Sequence, residues 1–346
     1  MDSTVGGLRG SSKRVRPLGE LVGRLRCGGM RVLVTGGGGF IGSHLVERLL
    51  TLGHEVRVLD SFATGRRENI AHLTEVDLVE GDIQSYERAY AASRECDAVF
   101  HQAALPSVPR SVQDPLMTNV ANVTGSLNLL LAARDNGVRR VVYASSSSVY
   151  GPTDVLPKEE SQRPSPISPY AVSKLAGEGY CHAFSSIYGL ECIALRYFNV
   201  FGPRQDPTSQ YSAVIPRFIA AGLEGRRPTI FGDGEQSRDF TYIDNIVDAN
   251  LLAMESDVGV GQVFNVACGE RVTLNQVVAH LSDALGVPIE AEYLPPRMGD
   301  IRHSHADVAR ARTMLGYKPS VLFAEGLRRT LEATVSRLDS ASMLTR

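Results

Sequence analysis

The stretch that decides the fold is Arg31-Val-Leu-Val-Thr-Gly-Gly-Gly-Gly-Phe-Ile-Gly-Ser-His-Leu-Val-Glu-Arg-Leu-Leu50. A short apolar run ends in glycines, and an apolar pattern with helical spacing starts directly after them. This order predicts a strand, a tight turn and a helix, which together open a dinucleotide-binding unit. Gly36 is expected to make the sharp turn, Gly39 to let the backbone approach a pyrophosphate, and Gly42 to let the helix pack against the strand.

A second apolar run, Glu55-Val-Arg-Val-Leu-Asp60, follows at the distance expected for such a unit. It ends in Asp60, which is placed to accept hydrogen bonds from the adenosine ribose. Arg66 and Arg67 in the next loop raise the alternative of a ribose phosphate and hence of NADP. Because the Asp60 carboxylate would repel that phosphate, the sequence favours NAD.

Strand and helix patterns continue to alternate along the chain. A third strand is predicted at Val76-Asp-Leu-Val-Glu-Gly-Asp-Ile83, with Asp82 near the adenine, and a fourth at Ala98-Val-Phe-His-Gln-Ala-Ala104. The predicted fold class is α/β, a doubly wound parallel-sheet Rossmann domain with a second, smaller α/β substrate domain. The predicted segments are a disordered basic extension at 1–29, the first domain at 30–199 plus about 237–268, the second at 200–236 plus 269–335, and a tail at 336–346.

Composition narrows the possible functions. The chain has 346 residues, 43% of them hydrophobic, and a formal net charge of -2, so it gives no argument for nucleic-acid binding. No apolar stretch approaches the ~20 residues that span a membrane, so no membrane partner is expected. His303 and His305 are two imidazoles with no cysteine nearby, and no metal is expected. The cysteines are scattered, which predicts reduced thiols and a cytoplasmic protein: Cys27, Cys96, Cys181, Cys192 and Cys268.

The first 29 residues differ in character from the rest. Six Arg and Lys side chains are offset only by Asp2 and Glu20, and glycine is frequent, so no core is expected there. Met30 directly precedes the first predicted strand. We therefore hypothesise that the functional chain begins at Met30 and that deleting the preceding arm leaves activity intact.

The candidate catalytic residues lie at the end of a fifth predicted strand and in the segment after it. That strand lies in Arg140-Val-Val-Tyr-Ala-Ser-Ser-Ser-Ser-Val-Tyr-Gly151 and ends in hydroxyls, where ligands bind in open α/β sheets. Tyr170 and Lys174 come next, four apart and therefore on one face of a helix. A neighbouring ammonium favours the phenolate, so the pair predicts a tyrosine base with a lowered pKa.

These motifs together resemble the extended short-chain dehydrogenase/reductase family, especially its nucleotide-sugar 4-epimerases. They are Gly36-x-x-Gly39-x-x-Gly42, Asp60, Ser146 ahead of Val149-Tyr150-Gly151, and Tyr170-x-x-x-Lys174, and the likeness runs from Met30 to about residue 335. The resemblance implies that Tyr170 is the catalytic base and that Lys174 lowers its pKa and holds the nicotinamide ribose. It implies that Ser146, with Ser147 as second candidate, bonds the reacting sugar oxygen.

The resemblance also implies the composition of two binding sites. For NAD it adds Phe40, Ile41, Asp82, Ile83, Ala103, Ala104 and Asn122. For a UDP-sugar it adds Ser107, Asn199, Ala213, Val214, Arg238, Arg297, Asp300 and Ser304. Arginine offers a planar fork suited to phosphate, so Arg238 and Arg297 are expected to clamp the diphosphate. The helices around 120–133 and 170–187 are implied to form a homodimer contact.

The implied reaction is 4-epimerisation through a transient 4-keto sugar, with hydride passing to bound NAD and back. Dehydratase relatives place acids beside the Ser or Thr, whereas this chain has Ser146, Ser147 and Ser148, so dehydration is demoted. UDP-glucuronate 4-epimerases are the runner-up, although they typically lack an Asn at the position of Asn199. A protein that only senses NAD or a nucleotide sugar would be expected to have lost Tyr170 or Lys174.

One position bears on the size of the sugar. Ser304 falls where family members restricted to plain hexoses carry a bulky Tyr, and a small side chain leaves volume for an N-acetyl group. UDP-GlcNAc and UDP-GalNAc are therefore the expected substrates, with UDP-Glc and UDP-Gal as further candidates. Pro106 differs from the Gly that acetyl-preferring relatives often carry, which keeps the plain hexoses open.

Overall fold

A seven-stranded parallel sheet forms the centre of the protein in this computed structural model, which describes residues 29–206, 214–296 and 302–344. The strands, in chain order, are β1 Arg31–Thr35, β2 Glu55–Asp60, β3 Asp77–Glu80, β4 Ala98–His101, β5 Arg140–Ser146, β6 Glu191–Tyr197, β7 Val200–Phe201, β8 Thr229–Phe231, β9 Ser237–Arg238, β10 Thr241–Tyr242, β11 Val263–Val266, β12 Val272–Thr273 and β13 Glu292–Leu294. The order in the main sheet is β11-β6-β5-β4-β1-β2-β3, and every pair in it is parallel. The predicted doubly wound sheet is confirmed.

Helices cover both faces of this sheet and also occur in the predicted second domain, 200–236 plus 269–335, which is called the second region here. In chain order they are α1 Phe40–Thr51, α2 Tyr86–Ser93, α3 Val108–Gln113, α4 Pro115–Asn119, α5 Gly125–Asp135, α6 Pro169–Tyr188, α7 Val214–Leu223, α8 Ile243–Glu255, α9 Leu274–Leu285, α10 Ala309–Leu315 and α11 Phe323–Leu344. A π-turn at Val120–Thr124 joins α4 to α5, and short 3₁₀ turns lie at Arg67–Asn69 and Ser147–Tyr150.

The alternation of side chains along β1 shows why both faces are covered. Val32 and Val34 join one core cluster together with Leu45 of α1, whereas Leu33 joins a second cluster together with Leu129 of α5. Successive strand side chains point to opposite faces, and here every one of the three is apolar. Such a strand is stable only when helices pack on both sides.

The helical run Pro115–Asp135 departs from the expectation drawn from composition. Its 21 residues make it long and apolar enough to cross a membrane by length and composition alone, and half of the window is buried inside the protein. The buried half packs against α2 and α6. Core helices of soluble proteins can be equally long and apolar, so this feature is weak evidence for a membrane span.

Three two-stranded sheets lie outside the main sheet, and one of them is formed by β7 and β10 in parallel. Strand β8 pairs in parallel with β13, and β9 pairs antiparallel with β12. Strand β11 lies between these segments in sequence, yet it joins the main sheet beside β6. This return agrees with the predicted place of the β11 segment in the first domain, whereas β9, predicted in the same domain, pairs with β12; the division into domains stays a prediction. The predicted extension, except its last residue, and site residues Ala213, Arg297 and Asp300 lie outside the described residues.

Candidate active site

The glycine turn after β1 has the geometry that its spacing predicts. Gly36 has a φ of 72°, and a Cβ atom there would lie 2.7 Å from the backbone nitrogen of Ala103. A Cβ atom on Gly42 would lie 2.1 Å from the carbonyl oxygen of Gly36. Both contacts are too short for a side chain, so the turn and the close helix packing depend on these glycines.

The start of α1 is suited to a diphosphate. Gly39 is the N-cap residue and offers no side-chain oxygen to the first N–H groups of the helix. Those donors and the positive end of the helix dipole form a ready site for an anion. Because the cap has no side chain, a phosphate can approach the backbone closely, which is the fit that NAD requires.

Asp60 closes the other side of this site. Its carboxylate accepts hydrogen bonds from the backbone N–H of Gly38 at 2.8 Å and of Phe62 at 2.7 Å. It belongs to the wall of a cavity of about 400 Å³, the cofactor cavity. The predicted residues that line this cavity are Gly36, Gly39, Asp60, Asp82, Ile83, Ala103 and Ala104.

The two arginines that raised the NADP alternative are both paired with acids of this chain. Arg66 forms an ion pair with Asp206 at 2.6 Å, and Arg67 forms one with Glu80 at 2.5 Å. Arg67 also lies 4.2 Å from the ring centroid of Phe62. With these partners the arginines are not dedicated to a ribose phosphate, and Asp60 at the cavity wall agrees with NAD.

A second cavity, of about 540 Å³, contains the predicted chemistry and is called the substrate cavity here. Its wall includes Ser146, Tyr170, Asn199 and Arg238 from the predicted first domain and Ser304 from the predicted second domain. Ile41, predicted to contact the cofactor, and Ser147 are also part of this wall. The structure thus brings seven predicted residues from distant parts of the chain around one volume.

Tyr170 is held next to Ser146 at the end of β5. The hydrogen bond between the two side chains lowers the pKa of Tyr170, but burial raises it more, so the pKa lies above its ordinary value. This corrects the expectation that Lys174 lowers it. The Nζ atom of Lys174 lies 6.0 Å from the centroid of the Tyr170 ring and donates instead to the carbonyl oxygen of Ala144.

Lys174 is a buried ammonium at the floor of the site. Burial lowers its pKa to about 8. The hydrogen bond to the Ala144 carbonyl is 2.8 Å long and fixes the ammonium between α6 and β5. A lysine in this position supplies positive charge close to the reacting groups, and it needs no carboxylate partner to be held in place.

A buried ion pair fixes α6 against the strands that carry the site. Glu178, one turn after Lys174, accepts two hydrogen bonds from Arg196 of β6 at 2.8 and 2.7 Å. It also accepts one from the hydroxyl of Ser145, which precedes Ser146. Ser145 and Arg196 are themselves paired across β5 and β6. The helix that carries Tyr170 is thereby tied to both strand ends.

Asp239 ties together segments from both predicted domains. Its buried carboxylate accepts hydrogen bonds from the backbone N–H groups of Cys268, Gly269 and Ala306. Burial nevertheless raises the pKa of Asp239 to about 6. The backbone oxygen of Asp239 accepts from the Asn199 side chain at 3.1 Å. Asn199 and the segment after Ser304 therefore share one anchor.

Some predicted residues are placed differently from the expectation. Asn122 is only 1% exposed, and its amide bonds the backbone of Leu105 and the hydroxyl of Ser173 rather than facing the cofactor cavity. Ser107 caps α3 by accepting from the N–H of Arg110. Phe40 and Val214 are the first residues of α1 and α7, and neither is part of the two cavity walls.

The structure adds residues that sequence reasoning missed. Lys158 is part of the substrate cavity wall, as is Tyr197, whose hydroxyl is bonded to Asn250. A lysine in the polar segment after Pro157 is typical of an exposed loop, so no local signal marks it. Among the described residues, no group of three or more His, Cys, Asp or Glu side chains could hold a metal ion.

The cofactor turn, the acid at the end of β2 and the Ser-Tyr-Lys arrangement define a class of protein. The model of the NAD dependent epimerase/dehydratase family matches residues 32–267, which is more than half of the chain. This chain belongs to the NAD dependent epimerase/dehydratase family. The predicted enzyme class and the predicted cofactor, NAD, are confirmed.

Three relatives carry names for different substrates. A UDP-glucose 4-epimerase from Mycolicibacterium smegmatis is 42% identical over 88% of this chain and 98% of its own length. A solved UDP-N-acetylglucosamine 4-epimerase from Methanobrevibacter ruminantium is 43% identical, with a TM-score of 0.85 over 89% of this chain and 99% of that one. A solved UDP-glucuronic acid 4-epimerase from Bacillus cereus is 33% identical, with a TM-score of 0.82 over 89% and 100%. The family resemblance alone does not select among these sugars.

Proposed function

We propose that this enzyme catalyses the 4-epimerisation of a UDP-hexose, interconverting UDP-GlcNAc and UDP-GalNAc and also accepting UDP-Glc and UDP-Gal. The observation that supports this choice of sugar is the position of the small side chain of Ser304. This residue is buried, with 7% of its surface exposed, and belongs to the wall that also holds Ser146 and Tyr170. A hydroxymethyl group at this point leaves volume that a larger side chain would occupy.

The proton chemistry is assigned to Tyr170 and Ser146. Tyr170 removes the proton from the hydroxyl on sugar carbon 4, while Ser146 bonds the same oxygen and orients it. NAD, when bound, supplies the redox chemistry by accepting hydride from that carbon and returning it. Burial raises the pKa of Tyr170, and the hydrogen bond with Ser146 offsets part of that rise, so Ser146 also favours the phenolate.

Inversion at carbon 4 requires the nucleotide to be held firmly and the sugar loosely, so that the sugar can present either face. Arg238 is one of the two cations in the described cavity wall, and its donor groups suit a diphosphate oxygen. The sugar end of the wall is formed by small hydroxyl side chains such as Ser146, Ser147 and Ser148. Short side chains of this kind leave room for a 4-keto sugar to turn over.

A second candidate is UDP-glucuronate 4-epimerisation, the reaction named for the Bacillus cereus relative. The observation that favours it is the ammonium of Lys158 in the same wall, which could pair with a sugar carboxylate. Asn199 argues against it, since glucuronate enzymes typically lack an Asn there. We keep the hexose assignment because Ser304 supplies the acetyl-sized volume.

We also propose a homodimer formed through the helices around 120–133 and 170–187. The exposed apolar residues Val172, Ile187 and Tyr188 on α6 support this contact.

A cytoplasmic location is proposed as well. It is supported by the four described cysteines, which are buried and carry no disulfide: Cys96, Cys181, Cys192 and Cys268.

The test of the substrate assignment replaces Ser304. Ser304→Tyr is expected to lose activity on UDP-GlcNAc and UDP-GalNAc while retaining it on UDP-Glc and UDP-Gal. Ser304→Ala, which keeps the small volume, serves as the matched control and should retain all four. Equal loss on the four sugars in the tyrosine variant would contradict the role given to Ser304.

A further inference from the structure

The substrate cavity contains a buried lysine that the proposed reaction does not use. Lys158 is 1% exposed, yet it is part of the same wall as Ser146 and Ser304. A buried ammonium is costly unless its charge and its donors are satisfied. The position of this residue therefore calls for a role beyond filling space.

The backbone of Lys158 fixes where its side chain begins. Its N–H donates to the carbonyl oxygen of His305 at 2.8 Å, and its own carbonyl accepts from Asp307 at 2.9 Å. These bonds form a parallel bridge between Lys158 and Ala306. Ser304 lies two residues before Ala306, so the bridge brings the segment that carries Ser304 alongside Lys158, which agrees with both side chains bordering one cavity.

The ammonium is only partly satisfied by the described part of the chain. Nζ donates to the carbonyl oxygen of Gly151 at 3.2 Å and lies 5.7 Å from the ring centroid of Tyr150. A lysine ammonium has three donors, and no carboxylate among the described residues forms an ion pair with this one. Two donors remain available to a ligand.

The surroundings favour an electron-rich oxygen rather than a hydroxyl. Burial lowers the pKa of Lys158, and the nearby positive charge of Arg238 lowers it further. The described wall of the substrate cavity holds these two cations and no Asp or Glu. An ammonium bonds most strongly to a charged or strongly polarised oxygen, such as a carboxylate or an amide carbonyl.

We propose that Lys158 is a specificity residue that donates to a carbonyl-type oxygen carried on the sugar ring and absent from a plain hexose. That oxygen is the acetamide carbonyl of UDP-GlcNAc or the carboxylate of UDP-glucuronate. The inference rests on the proposed 4-epimerase function. Through Gly151 the ammonium adjoins the serine run, and through the bridge to Ala306 it adjoins the segment of Ser304, so the proposal places it at the sugar end of the cavity.

The test compares Lys158→Met on three substrates: UDP-Glc, UDP-GlcNAc and UDP-glucuronate. Loss of one charged hydrogen bond is expected to lower kcat/KM by roughly 10- to 100-fold on the sugar that bears the oxygen. Activity on UDP-Glc should change little, and it reports at the same time that the variant is folded. Lys318→Met, which removes an exposed lysine, is the matched control for the change in charge.

Each outcome has a defined meaning. Selective loss on UDP-GlcNAc or on UDP-glucuronate supports the proposal and identifies which oxygen the ammonium binds. Equal loss on all three substrates, or no loss on any, overturns it, because a structural role or a diphosphate contact does not distinguish sugars. Failure of the unaltered enzyme to convert any of the three would refute the proposed function instead, independently of Lys158.

Discussion

Lys174 lies one helical turn after Tyr170, and its Nζ atom is 2.8 Å from the carbonyl oxygen of Ala144. Ala144 belongs to β5, the strand that ends at Ser146. This bond places the ammonium on β5 rather than on the phenol. The lysine is therefore held as a fixed positive charge of the site, and its own protonation state becomes a property of the fold.

The burial of Lys174 predicts how the stability of the protein depends on pH. In the folded protein the pKa of Lys174 is about 8, below its ordinary value of 10.5. Between these values the unfolded chain binds the extra proton, so this group adds stability as pH rises from about 8 to 10. The free energy of unfolding of the wild type should therefore increase relative to that of Lys174→Met across this pH range. Urea titrations at several pH values measure the difference, and a constant difference would contradict the assigned burial.

Removal of the tyrosine hydroxyl tests the base directly. Tyr170→Phe keeps the ring in place but removes the group that takes the proton, so kcat is expected to fall about 10²- to 10⁴-fold. The variant should still bind NAD, which fluorescence titration can measure. A Phe variant with near-normal kcat would require a different base.

The ion pair behind the site predicts an effect on both stability and activity. Glu178→Gln leaves the buried Arg196 guanidinium uncompensated, which is expected to cost about 3–5 kcal/mol of unfolding free energy. The double variant Glu178→Met with Arg196→Met removes both charges and should recover most of that loss. Its activity should stay low, because the Ser145 hydroxyl next to Ser146 still lacks its acceptor. Full activity in the stable double variant would show that the pair serves folding alone.

Cofactor choice depends on Asp60. Asp60→Asn weakens the acceptor for the ribose and for the N–H of Gly38, so NAD should bind roughly 10- to 100-fold more weakly. The preference for NAD over NADP should fall at the same time, because the repulsive charge is gone. Calorimetric titration with both cofactors measures this. Asp77→Asn is the control, since Asp77 pairs with Arg57 outside the cofactor cavity, and an unchanged NAD affinity in Asp60→Asn would rule out the ribose contact.

Two glycines in helices should respond in opposite directions to alanine. A Cβ atom at Gly42 would lie 2.1 Å from the Gly36 oxygen, so Gly42→Ala should separate α1 from the turn and abolish NAD binding. A Cβ atom at Gly179 of α6 meets nothing within 4 Å, and Gly179→Ala should stabilise the protein by about 0.5–1 kcal/mol. Thermal unfolding with and without NAD compares the two. Retained NAD binding in the Gly42 variant would contradict the packing argument.

The parts of the fold that sequence predicts are those fixed by local chemistry. The glycine spacing from Gly36 to Gly42, the apolar strands and the four-residue interval between Tyr170 and Lys174 are each visible within a short window. The structure confirms the sheet and the turn, and it brings Ser146 and Tyr170 together as expected.

The features that sequence could not predict depend on contacts between distant segments. Lys158 is buried because it bridges to Ala306, almost 150 positions away, and nothing near Lys158 signals that pairing. Asn122 accepts a hydrogen bond from the backbone N–H of Leu105, which lies within reach only once the loop is folded. The pKa of Tyr170 depends on how deeply it is buried, and helix spacing does not report burial depth.

The most direct test of the central claim is proton NMR of the purified enzyme with UDP-GlcNAc and no added cofactor. The proposed function predicts that UDP-GalNAc appears and grows to an equilibrium mixture, because bound NAD is regenerated in every cycle. Absence of UDP-GalNAc, with or without added NAD, would contradict the assignment of the acetylated sugars.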